Sequence, residues 1–394
     1  MAFLDKFTRA TNSQNFIPEI DGFRFFAIIT VVLMHLNVGF CRTAGLNYKD
    51  GMMVICSLSW FLNRGGLGVQ VFFSISGFIL SMPFLKYYLQ RNNTILGNHL
   101  IPKPKLGSYY LRRLTRLEPP FIIAITFFFI VHVVLKEVPI KELTQHFIAT
   151  LTYLHCIIYN AWSTINPVTW SLETEIQFYL LAPFICKWIF QKSRNPASII
   201  AVLSVITLLG AYYFKDTYHD LHLSFSLLQQ LPFFLVGILV AYIYLTNKSF
   251  LEKKSVLFDV IGLGSMFLLF YFSFGYFISD VGFILFLFLL FISVFKGRFM
   301  NMVFTNKLIY VIGGMCYTIY LLHYPFFYLI CNYTKPLIIF DSYALNFWIQ
   351  AFVILPLLLV VCGLFYYFIE KPCMDKNWPK KLWMKISGSR CKNN

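Results

Sequence analysis

Arg24 and His35 stand eleven residues apart in one apolar run, Ile20-Asp21-Gly22-Phe23-Arg24-Phe25-Phe26-Ala27 through Val31-Val32-Leu33-Met34-His35. Ionisable groups inside hydrocarbon are costly and mark function. On a helix the two would be about 16 Å apart, close to half of a bilayer core of about 30 Å. An arginine near one face and an imidazole near mid-depth suit a catalyst that works inside a membrane, and also a proton pathway. Further along, Tyr109-Tyr110-Leu111-Arg112-Arg113-Leu114-Thr115-Arg116 leads into Pro119-Pro120. Arg113 and Arg116 share one helical face, where their forked donors can grip a phosphate of a polyphosphate-bearing cofactor. In Trp170-Ser171-Leu172-Glu173-Thr174-Glu175-Ile176-Gln177-Phe178-Tyr179, three polar residues, Ser171, Glu175 and Tyr179, recur every fourth position. A polar stripe in an apolar span wants a cavity rather than lipid. His323 adds a second imidazole, in Tyr320-Leu321-Leu322-His323-Tyr324-Pro325.

These residues need elements that cross a membrane. The chain is 58% hydrophobic and only 13% charged, a balance that excludes an ordinary soluble domain. Continuous apolar runs of about 17 to 23 residues argue for helices, because barrel strands would be short and alternating. The expected fold is therefore an all-α polytopic bundle of about ten spans, near 22–40, 67–85, 119–135, 170–189, 198–214, 226–245, 256–275, 280–295, 309–331 and 346–368. The run 147–162, with His155, Asn160 and Trp162, is ambiguous by itself. If it does not cross and the N-terminus is inside, 26 basic residues lie inside and 7 outside. If it crosses, the partition falls to 21 against 12 at best. The positive-inside rule selects the first arrangement, with both termini in the cytoplasm. The same loops explain the net charge of +16, so nucleic acid is not an expected partner.

One membrane unit is expected over 21–372, with a cytoplasmic segment 1–20 before it and a basic tail 373–394 after it. The first 16 residues are polar and mixed, so the first apolar run reads as a retained anchor rather than a cleaved leader. Nine cysteines show neither CxxC nor metal spacing. Cys186, Cys316 and Cys362 read as small packing residues, and Cys373 and Cys391 fall at the basic tail. The Gly65–Phe78 run of glycine and serine reads first as a close helix contact.

Topology converts position into depth. His35, Glu175 and His323 each fall about 20–22 Å from the inner face, in one layer. Arg24 falls at the level of Arg113 and Arg116. Glu173, about 200° around the helix from Glu175, is expected near the outer interface in water.

At this point the sequence resembles the acyltransferase-3 family of integral-membrane acyltransferases, which includes O-acetyltransferases of O-antigen and other surface polysaccharides. Asp21-Gly22-Phe23-Arg24 through His35 is similar to its opening Arg-ten-His motif. Gly68 to Gly77, Arg113-Leu114-Thr115-Arg116 and Trp170-Ser171-Leu172 with Glu175, Gln177, Phe178 and Tyr179 resemble three further motifs. Tyr317 to Pro325 and Ile369-Glu370-Lys371-Pro372 resemble its closing pair. Gln70 stands where the family usually has Asp, and Glu173 and Ile176 replace commoner residues; an esterase-like domain after the membrane unit, as in many fused members, is not expected. The resemblance implies ten helices, a cytoplasmic acyl-coenzyme A donor and an extracytoplasmic sugar acceptor.

The expected activity is an O-acyltransferase of the cytoplasmic membrane. It would move an acetyl group from acetyl-CoA to a hydroxyl of a surface or lipid-linked glycan such as lipopolysaccharide. Arg24, Arg113 and Arg116 would hold the donor's phosphates. His35 would be general base, oriented by Glu175 or Asp21. Trp170, Ser171, Tyr179 and His323 would contact substrate, and no metal is required. The rival from another class is a proton-coupled transporter with buried His and Glu as a relay. A structural or lipid-binding membrane protein is the third reading.

Overall fold

The protein is described here as a computed structural model covering residues 2–9, 16–47, 55–95, 100–136, 138–191, 195–218, 225–273, 277–375 and 378–379. Cys391 and most of the expected basic tail lie outside the described residues. Regular structure is helical throughout, and the sole strand-like contact among the described residues is a bridge between Ser255 and Gly297. Helices satisfy their own backbone groups, which is the requirement hydrocarbon imposes.

The principal helices are α1 (Pro18–Ala44), α2 (Leu67–Arg91), α3 (Leu106–Leu135), α4 (Ile140–Leu151), α5 (His155–Tyr159), α6 (Trp170–Phe190) and α7 (Pro196–Tyr218). They continue as α8 (Leu227–Thr246), α9 (Val256–Tyr271), α10 (Phe277–Lys296), α11 (Lys307–Gly314), α12 (Cys316–Ile330) and α13 (Tyr343–Phe365). Seven helical segments are long and apolar enough to cross a membrane alone, and α11 with α12 makes an eighth if the bent pair is one span. The chain is thus a multi-pass membrane protein. Two of the ten expected spans fall short by different criteria. The 21-residue α6 carries Glu173, Glu175 and Lys187, and the apolar α9 has only 16 residues.

The ambiguous run resolves into two pieces. The 12-residue α4 and the five-residue α5 are separated by a turn with Tyr153 at φ 57°, and α5 ends on Asn160 at φ 49°. Neither approaches the roughly 20 residues that a crossing needs.

Local sequence explains the boundaries that matter for the site. α1 begins at Pro18, whose missing N–H costs nothing there, and carries Glu19 and Asp21 in its first turn. It ends on Gly45 at φ 70°, a left-handed cap. α2 and α8 pack backbone to backbone through reciprocal glycines. A Cβ on Gly77 would lie 2.0 Å from the Phe234 carbonyl oxygen, and one on Gly237 would lie 1.8 Å from that of Ser74. The close-contact reading of the glycine run is therefore what the structure shows.

α11 and α12 meet at a 69° bend after Gly313-Gly314. At the far end of α13 a π-helical turn, Tyr366–Glu370, directs Glu370 inward. Its Oε2 accepts from the Thr318 backbone N–H at 3.2 Å and from the Thr318 hydroxyl at 2.5 Å, which ties α12 to α13. The segment 2–9 is fastened beneath these helices. Lys307 pairs with Asp5 at 2.6 Å, Lys371 donates to the Lys6 carbonyl at 2.6 Å, and the Phe7 ring stands 6.2 Å from that of Tyr367.

Candidate active site

A cation cluster forms where α1 and α3 begin their apolar stretches. Asp21 is 3% exposed and accepts from Arg9 Nη1 at 2.8 Å and from Arg24 Nη1. Arg24 lies one turn along the same helix, so Asp21 is the anchor that fixes its guanidinium. Arg113 stands 5.8 Å from the Tyr179 ring centroid and 6.0 Å from that of Tyr109. The Arg116 Nε is buried and has no partner among the described residues. Arg24, Arg113 and Arg116 line one cavity, which encloses about 910 Å³ of non-protein space, open solvent included.

The wall that α6 adds to that cavity beside Arg113 is polar. Ser171, Glu175 and Tyr179 all face it from α6, as their four-residue spacing requires. Tyr179 donates its hydroxyl to Glu175 Oε1 at 2.6 Å, and Ser76 on α2 donates to the same oxygen. Ser171 and Tyr320 hydroxyls lie 3.1 Å apart, and Tyr320 donates to the Val168 carbonyl at 2.5 Å. Val31 and Tyr320 also line the cavity, one turn before His35 on α1 and before His323 on α12.

The two histidines meet. His35 Nδ1 and His323 Nε2 are 2.9 Å apart. Hydrogen-bond chemistry assigns the protons. His323 Nδ1 lies 2.9 Å from the carbonyl oxygens of Ile319 and Tyr320, which can only accept, so this nitrogen carries the hydrogen. In the neutral ring His323 Nε2 is then an acceptor, and His35 Nδ1–H donates to it. His35 Nε2 is left with its lone pair, the form a general base requires. His323 is fully buried, and the Tyr324 ring stands edge-on to His35 at 5.1 Å.

This geometry corrects several expectations. His35 takes its orientation from an imidazole and not from a carboxylate. Asp21 is bound to two arginines and lies fourteen residues away on the same helix, about 21 Å. Glu175 is engaged by Ser76 and Tyr179. His323, placed among the substrate contacts by sequence, is fully buried and hydrogen-bonded to His35. Trp170 packs between the rings of Phe73 at 6.3 Å and Phe225 at 5.3 Å, and is not part of the cavity wall. Glu173 is not solvated: it is 2% exposed, because α5 folds over this end of α6, and its Oε2 accepts from the Cys156 N–H at 3.0 Å. Cys186 and Cys362 are buried as packing residues, whereas Cys316 lines the cavity.

Sequence reading missed four participants. Ser76 and Tyr320 sat inside motifs already singled out, and only a contact could promote them over their neighbours. Glu370 was noted as a motif member but not as a buried anchor. Arg9 carried no local signal, since its partner Asp21 is twelve residues away across a segment of mixed composition.

The two carboxylates on α6 face different surroundings, Glu175 the cavity and Glu173 the Cys156 N–H. If the cavity carries the expected acyl transfer, Glu175→Gln should lower its rate by about ten- to a hundred-fold, the worth of hydrogen bonds to a charged acceptor. Glu173→Gln retains an oxygen for the Cys156 N–H and should keep the wild-type rate. Rate and thermal midpoint would be measured on the same purified variants. A Glu175→Gln protein that loses stability but turns over normally would make this carboxylate a strut.

Taken together, the structure is a polytopic helical membrane protein in which a cation-lined cavity leads toward an imidazole pair. The chain belongs to the acyltransferase-3 family, whose model, described as an acyltransferase domain, matches residues 17–367. It is 26% identical over 393 residues to the O-acetyltransferase OatA of Staphylococcus aureus strain NCTC 8325, covering 93% of this chain and 58% of that protein. It is 24% identical over 434 residues to the peptidoglycan O-acetyltransferase OatA of Listeria monocytogenes, covering 95% of this chain and 61% of that protein. The chain therefore spans less than two thirds of the length of these relatives. No solved structure matches it significantly.

Proposed function

We propose that this protein is an O-acyltransferase of the cytoplasmic membrane that moves an acetyl group from acetyl-CoA to a glycan hydroxyl. The observation that carries the reading is the cavity itself, with three arginines at one end and Val31 and Tyr320, one turn short of the histidine pair, at the other. Both OatA relatives bear O-acetyltransferase names, and the Listeria one is named for peptidoglycan, which supports a cell-surface glycan as acceptor.

Arg24, Arg113 and Arg116 would bind the donor's phosphates, as forked, permanently charged donors do. The donor's arm would run along the Ser76, Glu175 and Tyr179 wall toward His35. His35 Nε2 would take the proton of the acceptor hydroxyl as its oxygen attacks the thioester carbonyl. The C–S bond breaks as the new C–O ester forms, and the leaving thiolate recovers the proton from His35. An acyl-enzyme route needs a nucleophile that must release the acyl group again, and direct transfer is the simpler sequence.

Donor affinity provides the test. Arg113→Ala and Arg116→Ala should each weaken acetyl-CoA binding by about 1.5–3 kcal/mol, roughly ten- to a hundred-fold, and Lys replacements should cost less. Calorimetry on the purified variants would show it. Unchanged binding in both Ala variants would leave these arginines as topology signals, and would return weight to the transporter reading, which has no use for a coenzyme A site.

The orientation proposed is both termini in the cytoplasm, on the charge partition of 26 against 7. A reporter fused after Asn394 should be active only on the cytoplasmic side. An extracytoplasmic signal would invert the donor end.

A further inference from the structure

A second cavity approaches the histidine pair from the opposite end of the same helices. It encloses about 700 Å³, open solvent included, between α3, α12 and the 164–167 segment. From α12 it takes Tyr324 to Leu329, which follow His323, whereas the first cavity takes Cys316 to Tyr320, which precede it. On α3 its lining starts at Phe128, about 22 Å beyond Arg113. Tyr324 belongs to its wall and stands edge-on to His35. Tyr324 is thus the side chain that separates this cavity from His35, as Val31 and Tyr320 lie one turn short of the histidine pair in the first.

The lining is mainly hydrocarbon: Phe128, Val131, Leu135, Ile165, Pro325 and Leu329. The same turns of α3 expose Phe127, Ile130 and Val134, the face that lipid covers in a membrane, and Leu135 is part of both surfaces. At the outer edge the Arg42 guanidinium lies 4.6 Å over the Tyr328 ring and donates to the Tyr328 carbonyl at 3.1 Å. An apolar chamber beside the lipid face, with a cation at its rim and Tyr324 between it and His35, has the polarity of an amphiphile.

We propose that this cavity admits a lipid-linked saccharide as acceptor, entering from the bilayer between α3 and α12. Its hydrocarbon occupies the apolar lining, its phosphate lies at Arg42, and a hydroxyl of its head group reaches His35 past Tyr324. The apolar majority of the lining suits a hydrocarbon chain that a free polysaccharide lacks, while Thr164 and Tyr324 offer polar contacts to a sugar head group. The inference rests on the acyltransferase reading for its chemistry, but its test reads binding.

The test uses the full chain in phosphatidylcholine nanodiscs and farnesyl-phospho-N-acetylglucosamine carrying a diazirine on its prenyl chain. Photolabelling should fall on 128–135 and 324–329, and be suppressed by excess untagged probe but not by free N-acetylglucosamine or phosphatidylglycerol. Val131→Trp and Leu329→Trp, which fill the chamber from two different helices, should each cut labelling at least about tenfold. Acetyl-CoA binding should stay within about twofold in both, which shows that they are folded. Suppression by phosphatidylglycerol, or labelling that persists in both variants, would make this an ordinary boundary-lipid site and overturn the proposal. Loss of the acyltransferase reading would appear separately, as acetyl-CoA binding that ignores Arg113 and Arg116.

Discussion

Replacing His35 by Ala should reduce acyl transfer by about 10²–10⁴-fold, the usual contribution of a positioned general base. The protein should still insert, fold and bind acetyl-CoA, because the arginines that would hold the donor lie a full cavity length away. The expectation rests on the proton assignment: two backbone carbonyls force the hydrogen onto His323 Nδ1, and the relay that follows leaves His35 Nε2 as the free lone pair. Measurement needs purified protein, labelled acetyl-CoA and a saccharide acceptor, with donor affinity determined in parallel. Near-wild-type transfer by His35→Ala would remove this imidazole from the chemistry.

His323→Phe should lower turnover by about 10²-fold without raising the KM of either substrate. Phenylalanine keeps a ring in the buried site but offers no acceptor to His35 Nδ1–H. The His35 ring would then be free to rotate or to place its hydrogen on Nε2, the tautomer that cannot accept a proton from the acceptor. His323→Gln should recover part of the rate, because its amide oxygen can accept the same hydrogen bond. A substrate-contacting His323 would behave differently: the acceptor KM would rise in both variants and glutamine would rescue nothing. The two roles are therefore separable by steady-state kinetics alone.

Much of this arrangement is legible in the sequence. Hydrocarbon imposes a strict rule on backbone polar groups, so apolar length alone identified a helical bundle. Three-residue spacing placed Arg113 and Arg116 on one face, and four-residue spacing placed Ser171, Glu175 and Tyr179 on another, because both are properties of a single helix. What sequence could not supply were contacts between helices. Equal depth put His35, Glu175 and His323 in one layer, but rotation about each helix axis decides which of them touch, and depth carries no information on rotation. His35 consequently met His323 and not Glu175. Glu173 failed for a related reason: its exposure depended on where α5 folds, and a five-residue helix leaves little periodic trace. Arg9 required knowing that the segment before α1 returns beneath the bundle.

Ser76, which holds Glu175, directly precedes Gly77 on α2, where the backbones of α2 and α8 touch. Elsewhere in a helical bundle, side chains form a deformable layer that can repack when one of them changes size. Between Ser74 and Gly77 on one helix and Phe234 and Gly237 on the other there is no such layer, so the spacing of the two axes is fixed by main-chain atoms. Drift in the apolar residues around this contact can alter volume and shape without moving the hydroxyl of Ser76. The α2 side of the Glu175 site is in this sense set by two glycines and the main chain opposite them, whereas its α6 side rests on Tyr179.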